Sequence, residues 1–473
     1  MFSFVQWGSP TKMNPAMPAS LPAPLDAGFK PAALFHKAYL AHAAKESNQM
    51  PFVIGLEREN GQSICLESLV VPGRHPATLL HAERLVKFLL WSRGGWKLTL
   101  GGPRELAETI GRIYSSRGTR RFDAKLMASA YGRPFQVKIT SADKVPRQKE
   151  SGLEAVGHLR GCRIGFDLGA SDYKVSAVKE GRVVFSEETR WDPCSHSNPD
   201  YHYHHLASAL HRAAACLPRV NAIGGSSAGI IVDNEIRVAS LMRSVPRRHF
   251  SRAASIFKRL QKEWGVPMQV MNDGDVTALA GSLSLGRRGI LGLAMGSSLA
   301  AGFIDVQGHI RGWLNELAFV PLDLQRHAPK DEWSGDRGTG VSYLSQQAVG
   351  RLLGPAGIKL SDSMPLPERL KAVQDLMKDG DDRAALIYDT LGVYLGCALA
   401  LYSEFYSFDQ GLILGRVTSG PGGNHLLEKA RKVLRLHFPE VATKIKLSLP
   451  DERFRRVGQS VAAASLPRLD AKS

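Results

Sequence analysis

Ile164-Gly165-Phe166-Asp167-Leu168-Gly169-Ala170-Ser171-Asp172-Tyr173-Lys174 is the stretch on which the fold turns. An apolar run ends in an aspartate. A glycine, a small residue and a hydroxyl follow, and a lysine closes the segment. Val175 to Val178 resume a strand pattern, and Lys179-Glu180-Gly181-Arg182 turns the chain into Val183-Val184-Phe185. The reading is strand, tight turn, strand, turn, strand. Small residues in the first turn let backbone N–H groups come close to an anion. Asp167 is placed to hold a hydrated metal ion, and Ser171 to donate to a phosphate oxygen. Taken alone, an Asp-x-Gly hairpin is more often only a hairpin.

The same logic recurs downstream. Ile290 to Met295 is a strand, Gly296-Ser297-Ser298 a small hydroxyl turn, and Leu299 to Asp305 a second strand; Arg311-Gly312-Trp313-Leu314-Asn315-Glu316 follows. Two hairpins that can each cradle phosphates are a more specific signal than one. Between them lies Val220 to Asp233, a buried-type strand, a Gly-Ser-Ser-Ala-Gly loop and another apolar run. That loop leaves room for a ligand near Ser227 and Gly229, or is a plain tight turn. Met268 to Met271 then ends in Asn272-Asp273-Gly274-Asp275 at the start of a helix. A carboxylate at a strand's carboxyl end, beside a helix N-terminus, is where open α/β sheets place chemistry. Asp273 is therefore a candidate base, and Asp273 and Asp275 are equally candidate helix caps. Late in the chain, Gly415 to Asn424 is a glycine-rich loop before another helix.

Composition bounds the class. The 473 residues suit two or three domains, with 44% hydrophobic and 22% charged content typical of a globular chain. The net charge of +17 permits an anionic partner. The cations are spread along the chain, with short knots at Arg120-Arg121, Arg247-Arg248 and Arg455-Arg456, and this favours a solvated basic surface over nucleic-acid binding. Five scattered cysteines, none in a Cys-x-x-Cys pair, argue against a disulfide framework or cysteine zinc site and fit a reducing cytoplasm. No apolar run reaches the roughly 18 residues of a membrane helix, and Leu391 to Tyr402 reads as a buried helix. Cys194, His196, His202, His204 and His205 lie in a Pro- and Asn-rich stretch that reads as a polar loop and helix start rather than a metal site.

The expected organisation is a disordered Pro/Ala-rich leader (1–30), a small α+β accessory domain (31–150) with a charged linker at 144–151, a first lobe (161–290), a second lobe with a closing C-terminal helix (291–464), and a tail (465–473). In the accessory domain, Glu59-Asn60-Gly61 signals a hairpin between two strands. Helices are expected around Leu85 to Leu90, after Gly101-Gly102-Pro103 and over Phe122 to Tyr131. Strands open this unit, and it does not look like a winged helix-turn-helix.

The order Asp167-x-Gly169-small-Ser171-x-x-Lys174, the Gly229 loop, Asn272-Asp273, Gly296-Ser297-Ser298, Glu316 and the Gly420–Gly423 loop resembles the ROK family (repressors, open-reading-frame proteins, sugar kinases) over residues 161–464. The resemblance implies a two-lobed actin-like ATPase (ribonuclease H-like) α/β fold closing over ATP and Mg2+, with a small-molecule sugar as partner. Kinase activity would phosphorylate a sugar hydroxyl with Asp273 as general base. Asn272, Glu316, Ser227 and Gly229 would hold the sugar. Asp167 would approach the hydrated Mg2+. Gly169, Ser171, Lys174, Gly296, Ser297 and Ser298 would meet the phosphates, and Gly420, Gly422 and Gly423 would border the adenosine. The alternatives on the same scaffold are a sugar-sensing regulator without kinase activity and a non-catalytic scaffold with a degenerate cleft. A homo-oligomer is compatible with each. Two departures stand out. Ala170 and Ser171 replace the family's Gly-Thr. Glu316 is followed by Leu317-Ala318-Phe319 where the family's kinases carry Gly and a histidine that touches sugar or zinc. The cysteine-rich zinc motif is absent, so no zinc site is expected.

Overall fold

The computed structural model describes residues 21–73, 76–154, 157–238 and 240–469. Its first lobe is built on a five-stranded sheet ordered Met268–Asn272, Ala222–Ser227, Cys162–Leu168, Asp172–Lys179, Arg182–Arg190. The first three strands run parallel and the last two are antiparallel. Cys162–Leu168 is central and almost wholly buried, with Ile164, Phe166 and Leu168 in the core and Arg163 and Asp167 as its polar exceptions. Leu206, Leu210 and Phe257 from helices Pro199–Ala214 and Ile256–Trp264 cover one face. The other face is covered by the last helix, Glu452–Ala464. It comes so close that a Cβ on Gly165 would lie 1.7 Å from the Ser460 carbonyl, and one on Gly224 1.7 Å from that of Ala463. The closing helix expected within the second lobe therefore belongs to the first-lobe sheet.

The second lobe repeats the plan with strands Leu299–Ile304, Ile290–Met295, Gln410–Leu414 and Lys446–Ser448. Its third strand is reduced to His309–Ile310, which pairs with Leu153–Glu154 from the segment before the first lobe. Helix Asp382–Ser403, long and apolar enough to cross a membrane by composition, is packed in this lobe's core. Helix Asp273–Leu285 joins the lobes. It continues from the first-lobe strand Met268–Asn272 and lies on the second-lobe sheet, where Gly274 and Gly302 bring the two backbones into contact.

The N-terminal unit has a four-stranded sheet ordered Ser63–Val70, Met50–Glu57, Lys97–Gly101, Gln136–Thr140. Its helices are Ala32–Ala43, Pro76–Arg93, Arg104–Ile113 and Arg121–Tyr131. The boundary at residue 150 is not a boundary of packing, because this unit and the second lobe share one hydrophobic core; Phe88 stacks on Phe405 at 4.1 Å and Trp91 on Phe319 at 4.1 Å. A buried ionic clasp reinforces the joint. Asp336 of the second lobe accepts from Arg84 at 3.0 Å, Lys87 at 3.0 Å and Arg120 at 2.7 Å, and Glu83 and Asp123 balance the remaining charge.

The expected leader divides at residue 21. Residues 1–20 lie outside the described residues. Residues 21–30 are fixed, with Phe29 buried against Tyr343 and Tyr394, and Asp26 accepting from the Tyr394 hydroxyl at 2.6 Å. Composition hid this because single apolar residues among prolines carry no periodicity. The 144–151 linker is likewise packed. Val145 is buried against Gly55 and Gly101, and Lys149 exchanges backbone hydrogen bonds with Ser63 at 2.8 Å. Of the expected tail, residues 465–469 continue from the last helix, with Leu466 buried, while 470–473 lie outside the described residues.

Candidate active site

Four carboxylates gather where the two sheets meet the linking helix. Asn272 caps that helix, its side chain accepting from Gly274 N at 2.7 Å. Its amide donates to the Gly229 carbonyl at 2.8 Å, fixing the loop after Ala222–Ser227. The Asn272 amide also hydrogen-bonds the Asp273 carboxylate, which pulls that group's pKa down. Asp273 follows in the helix's first turn, where the positive end of the helix dipole favours a carboxylate. Burial nonetheless raises its pKa, against the hydrogen bond from Gly274 N. Asp167 ends the central strand directly opposite Ser226, whose hydroxyl donates to it at 2.5 Å. Burial pushes Asp167 up to about 6, with the Ser226 bond pulling down and the charge of Asp273 pushing further up.

Glu316 comes from the second lobe. Burial, together with the charges of Asp273 and Asp275, pushes it up to about 7. Asp275, the other helix-start acid, is 4% exposed, accepts from Asn315 Nδ2 at 2.8 Å and is pushed up to about 7, chiefly by burial. The segment carrying Glu316 is held from outside the lobe. Leu314 N, Asn315 N and Glu316 N donate to the carbonyls of Arg93, Ser92 and Trp91 at the end of helix Pro76–Arg93. Phe319, where a Gly-His kinase would present its histidine, stacks on Trp91 instead. The segment after Glu316 is thus packed against the N-terminal unit.

The phosphate-facing candidates sit on two exposed turns. Gly169 N donates to the Asp172 carbonyl at 2.9 Å, the Ser171 hydroxyl donates to the Asp172 carboxylate at 2.9 Å, and Trp191 Nε1 pins the Gly169 carbonyl at 2.8 Å. Ala170 is exposed and is not among the residues with positive φ, so this turn does not require glycine there. Across the cleft, Gly296 N donates to the Ser298 carbonyl at 2.9 Å, and Ser297 and Ser298 are exposed with no hydroxyl bond among the described residues.

Other candidates are placed differently. Lys174 stands beside Asp167 on the neighbouring strand but is half exposed and pairs with Glu188 at 3.6 Å. Ser227 is 1% exposed, with its hydroxyl turned back to the Ala228 carbonyl. Gly420 is exposed at the start of helix Pro421–His437, whereas Gly422 and Gly423 turn inward, where a Cβ would strike the Tyr388 ring at 2.2 Å and the Thr418 carbonyl at 2.1 Å. Those two glycines serve helix packing, and Gly420 alone of the three is exposed. In the histidine-rich segment, His202 bonds the Pro193 and Leu241 carbonyls and His196 stacks on Tyr201 at 3.6 Å.

The sequence reading missed the contribution of the N-terminal unit. Arg58, Glu59, Asn60 and Gln62 on its first hairpin, and Tyr131 on its last helix, line a pocket of about 190 Å3 together with Gly229, Asn272, Asp275 and Arg311 to Leu314. No local signal marks these residues. They meet Asn272 only through tertiary packing.

The sheet order, the linking helix and the paired hairpins define a two-lobed actin-like ATPase fold. This is the fold of ROK proteins. Residues covering 65% of the chain match 97% of the ROK hexokinase of Thermus thermophilus at 19% identity and a TM-score of 0.51. They match 78% of a ROK family transcriptional regulator, a homolog of the E. coli MLC protein, at 18% identity and a TM-score of 0.50. No family model and no curated protein matches the chain.

Proposed function

We propose that the chain is an ATP-dependent sugar kinase of the ROK type. The observation that carries this reading is the convergence of Asp167, Asp273 and Glu316, from three separate segments, into one electrostatically coupled cluster. A cluster of buried carboxylates that raise one another's pKa gains from a nearby divalent cation, which fits a hydrated Mg2+ at Asp167. Exposed small turns on both sides, Gly169 to Ser171 and Gly296 to Ser298, together with the N-terminus of the helix at Gly420, fit an extended anion.

ATP–Mg2+, when bound, supplies the phosphoryl group. Asp273 takes the proton of the acceptor hydroxyl at its carboxylate, and a base whose pKa burial raises is better suited to that transfer, worth about 10²–10⁴-fold. Glu316 and Asn272 orient the sugar, and positioning supplies much of the remaining acceleration. The test is ATP turnover across hexoses and N-acetylhexosamines. Asp273→Asn should abolish turnover while leaving sugar binding within about threefold of wild type. Wild-type turnover by this variant would overturn the assignment of the base. The second reading, a sugar sensor without transfer, draws on Phe319 standing where a kinase histidine is expected. It predicts sugar binding by the wild type with no turnover of any panel member.

A further inference from the structure

The pocket beside Asn272 has a wall that the two lobes do not supply. Its inner face is Asn272, Asp275 and Gly229. Its outer face is the turn Arg58 to Gln62 of the N-terminal unit, closed by Tyr131 and the segment Arg311 to Leu314. Asn272 is common to this pocket and to the acceptor site, so the two adjoin.

The polar groups say what would fill it. Arg58 is 7% exposed. One end of its guanidinium donates to Gln62 Oε1 at 3.1 Å and another to the Gly312 carbonyl, and its Nε is buried with no partner. A buried donor without an acceptor is costly, and a ligand oxygen would satisfy it. Asn60 and Gln269 line the same space, and their side-chain amides make no hydrogen bond among the described residues. Glu59 and Asp233 line it too, with Asp275 inside. Three carboxylates against Arg58 and an Arg311 already paired with Asp305 disfavour an anionic ligand. The Trp313 ring is already engaged, stacked with Phe303 at 5.2 Å and under Arg93 at 3.5 Å. A neutral, hydroxyl-rich ring bound by hydrogen bonds fits this lining better than an aromatic or an anion.

We propose that this pocket is a second saccharide subsite, so that the ligand is a neutral disaccharide or glycoside whose distal ring is read by Arg58 and Asn60. This rests on the sugar-handling reading above. It gives the N-terminal unit a direct role, because substrate length is set by residues outside both lobes.

The experiment is calorimetry on the full chain with paired ligands: glucose with maltose and with cellobiose, and N-acetylglucosamine with its β-1,4-linked dimer. In at least one pair the disaccharide should bind on the order of tenfold more tightly, the value of one hydrogen bond to a charged group. Arg58→Met and Asn60→Gly should each remove most of that preference and leave monosaccharide affinity within about twofold. Asn60→Gly keeps the turn, since Asn60 has φ 55°, and decides the matter if Arg58→Met does not fold. Monosaccharides binding as well as every disaccharide would overturn the subsite and leave the sugar-kinase reading standing. A disaccharide preference unchanged in Asn60→Gly would also overturn it. Failure of every carbohydrate to bind would remove both readings.

Discussion

Replacing Asp336 with asparagine tests whether the N-terminal unit is structurally part of the second lobe. Asp336 is the sole second-lobe anion in the clasp, facing Arg84, Lys87 and Arg120, whose side chains are 9%, 0% and 12% exposed. Burial works against its charge, but Arg84 and Lys87 hold its pKa below the usual carboxylate range. The neutral variant leaves three cations against Glu83 and Asp123. Breaking one partner out of a buried network of this kind costs about 3–5 kcal/mol, mostly the penalty of the stranded charge. Lys87→Met removes the cation bonded to both Asp336 and Asp123, so the double variant restores a two-to-two balance. It should be less destabilised than the sum of the singles by about 1–3 kcal/mol. Urea unfolding followed by tryptophan fluorescence reads the change in midpoint, with Trp91, Trp96 and Trp313 all in this part of the molecule. Because helix Pro76–Arg93 carries the segment bearing Glu316, sugar affinity should fall with stability. A loss below about 1 kcal/mol for Asp336→Asn, or additive losses in the double variant, would refute a charge-balanced clasp.

Glu316 and Asp275, with pKa values of about 7 when folded against roughly 4 unfolded, should each withdraw stability as pH rises from about 4 to 7. Groups raised in this way stabilise below the unfolded value and lose that contribution as pH passes the folded one. His36 and His81, both lowered by burial, act in the opposite sense, because their imidazoles take up protons near 6.5 only when unfolded; the test is therefore the difference between proteins, Glu316→Gln gaining stability relative to wild type as pH rises from about 4 to 7, and a difference that does not change with pH would count against the buried cluster. Gly224→Ala places a methyl 1.7 Å from the Ala463 carbonyl and should cost about 1–3 kcal/mol, with faster proteolytic clipping of the last helix. Trp91→Ala empties a fully buried site beneath Phe319 and should cost about 3–5 kcal/mol. It should also weaken sugar binding, and unchanged affinity would detach Glu316 from the N-terminal support.

Local chemistry was legible in the sequence where it repeats a backbone device. Asp167 to Ser171 and Gly296 to Ser298 each read as strand, small turn, strand, and each is that hairpin. Asn272-Asp273 reads as a strand end meeting a helix start, and Asn272 is the cap. Glycines were legible as needed but not as to purpose. Gly422 and Gly423 look like a nucleotide-bordering loop and instead let Tyr388 and Thr418 press against a helix, because close approach to a ligand and close approach to a side chain demand the same absent Cβ. Phe319 was visible as a departure, yet its reason lies in Trp91, far away in the chain and inside a unit that reads as separate. Packing between distant segments leaves no period in either one. The shared core, the ladder from Trp91 to Glu316 and the Arg58 wall therefore emerge only when the two segments are placed together. The hairpin-and-carboxylate pattern could be read one hairpin at a time, whereas the walls of the pocket depend on how the N-terminal sheet is set against both lobes.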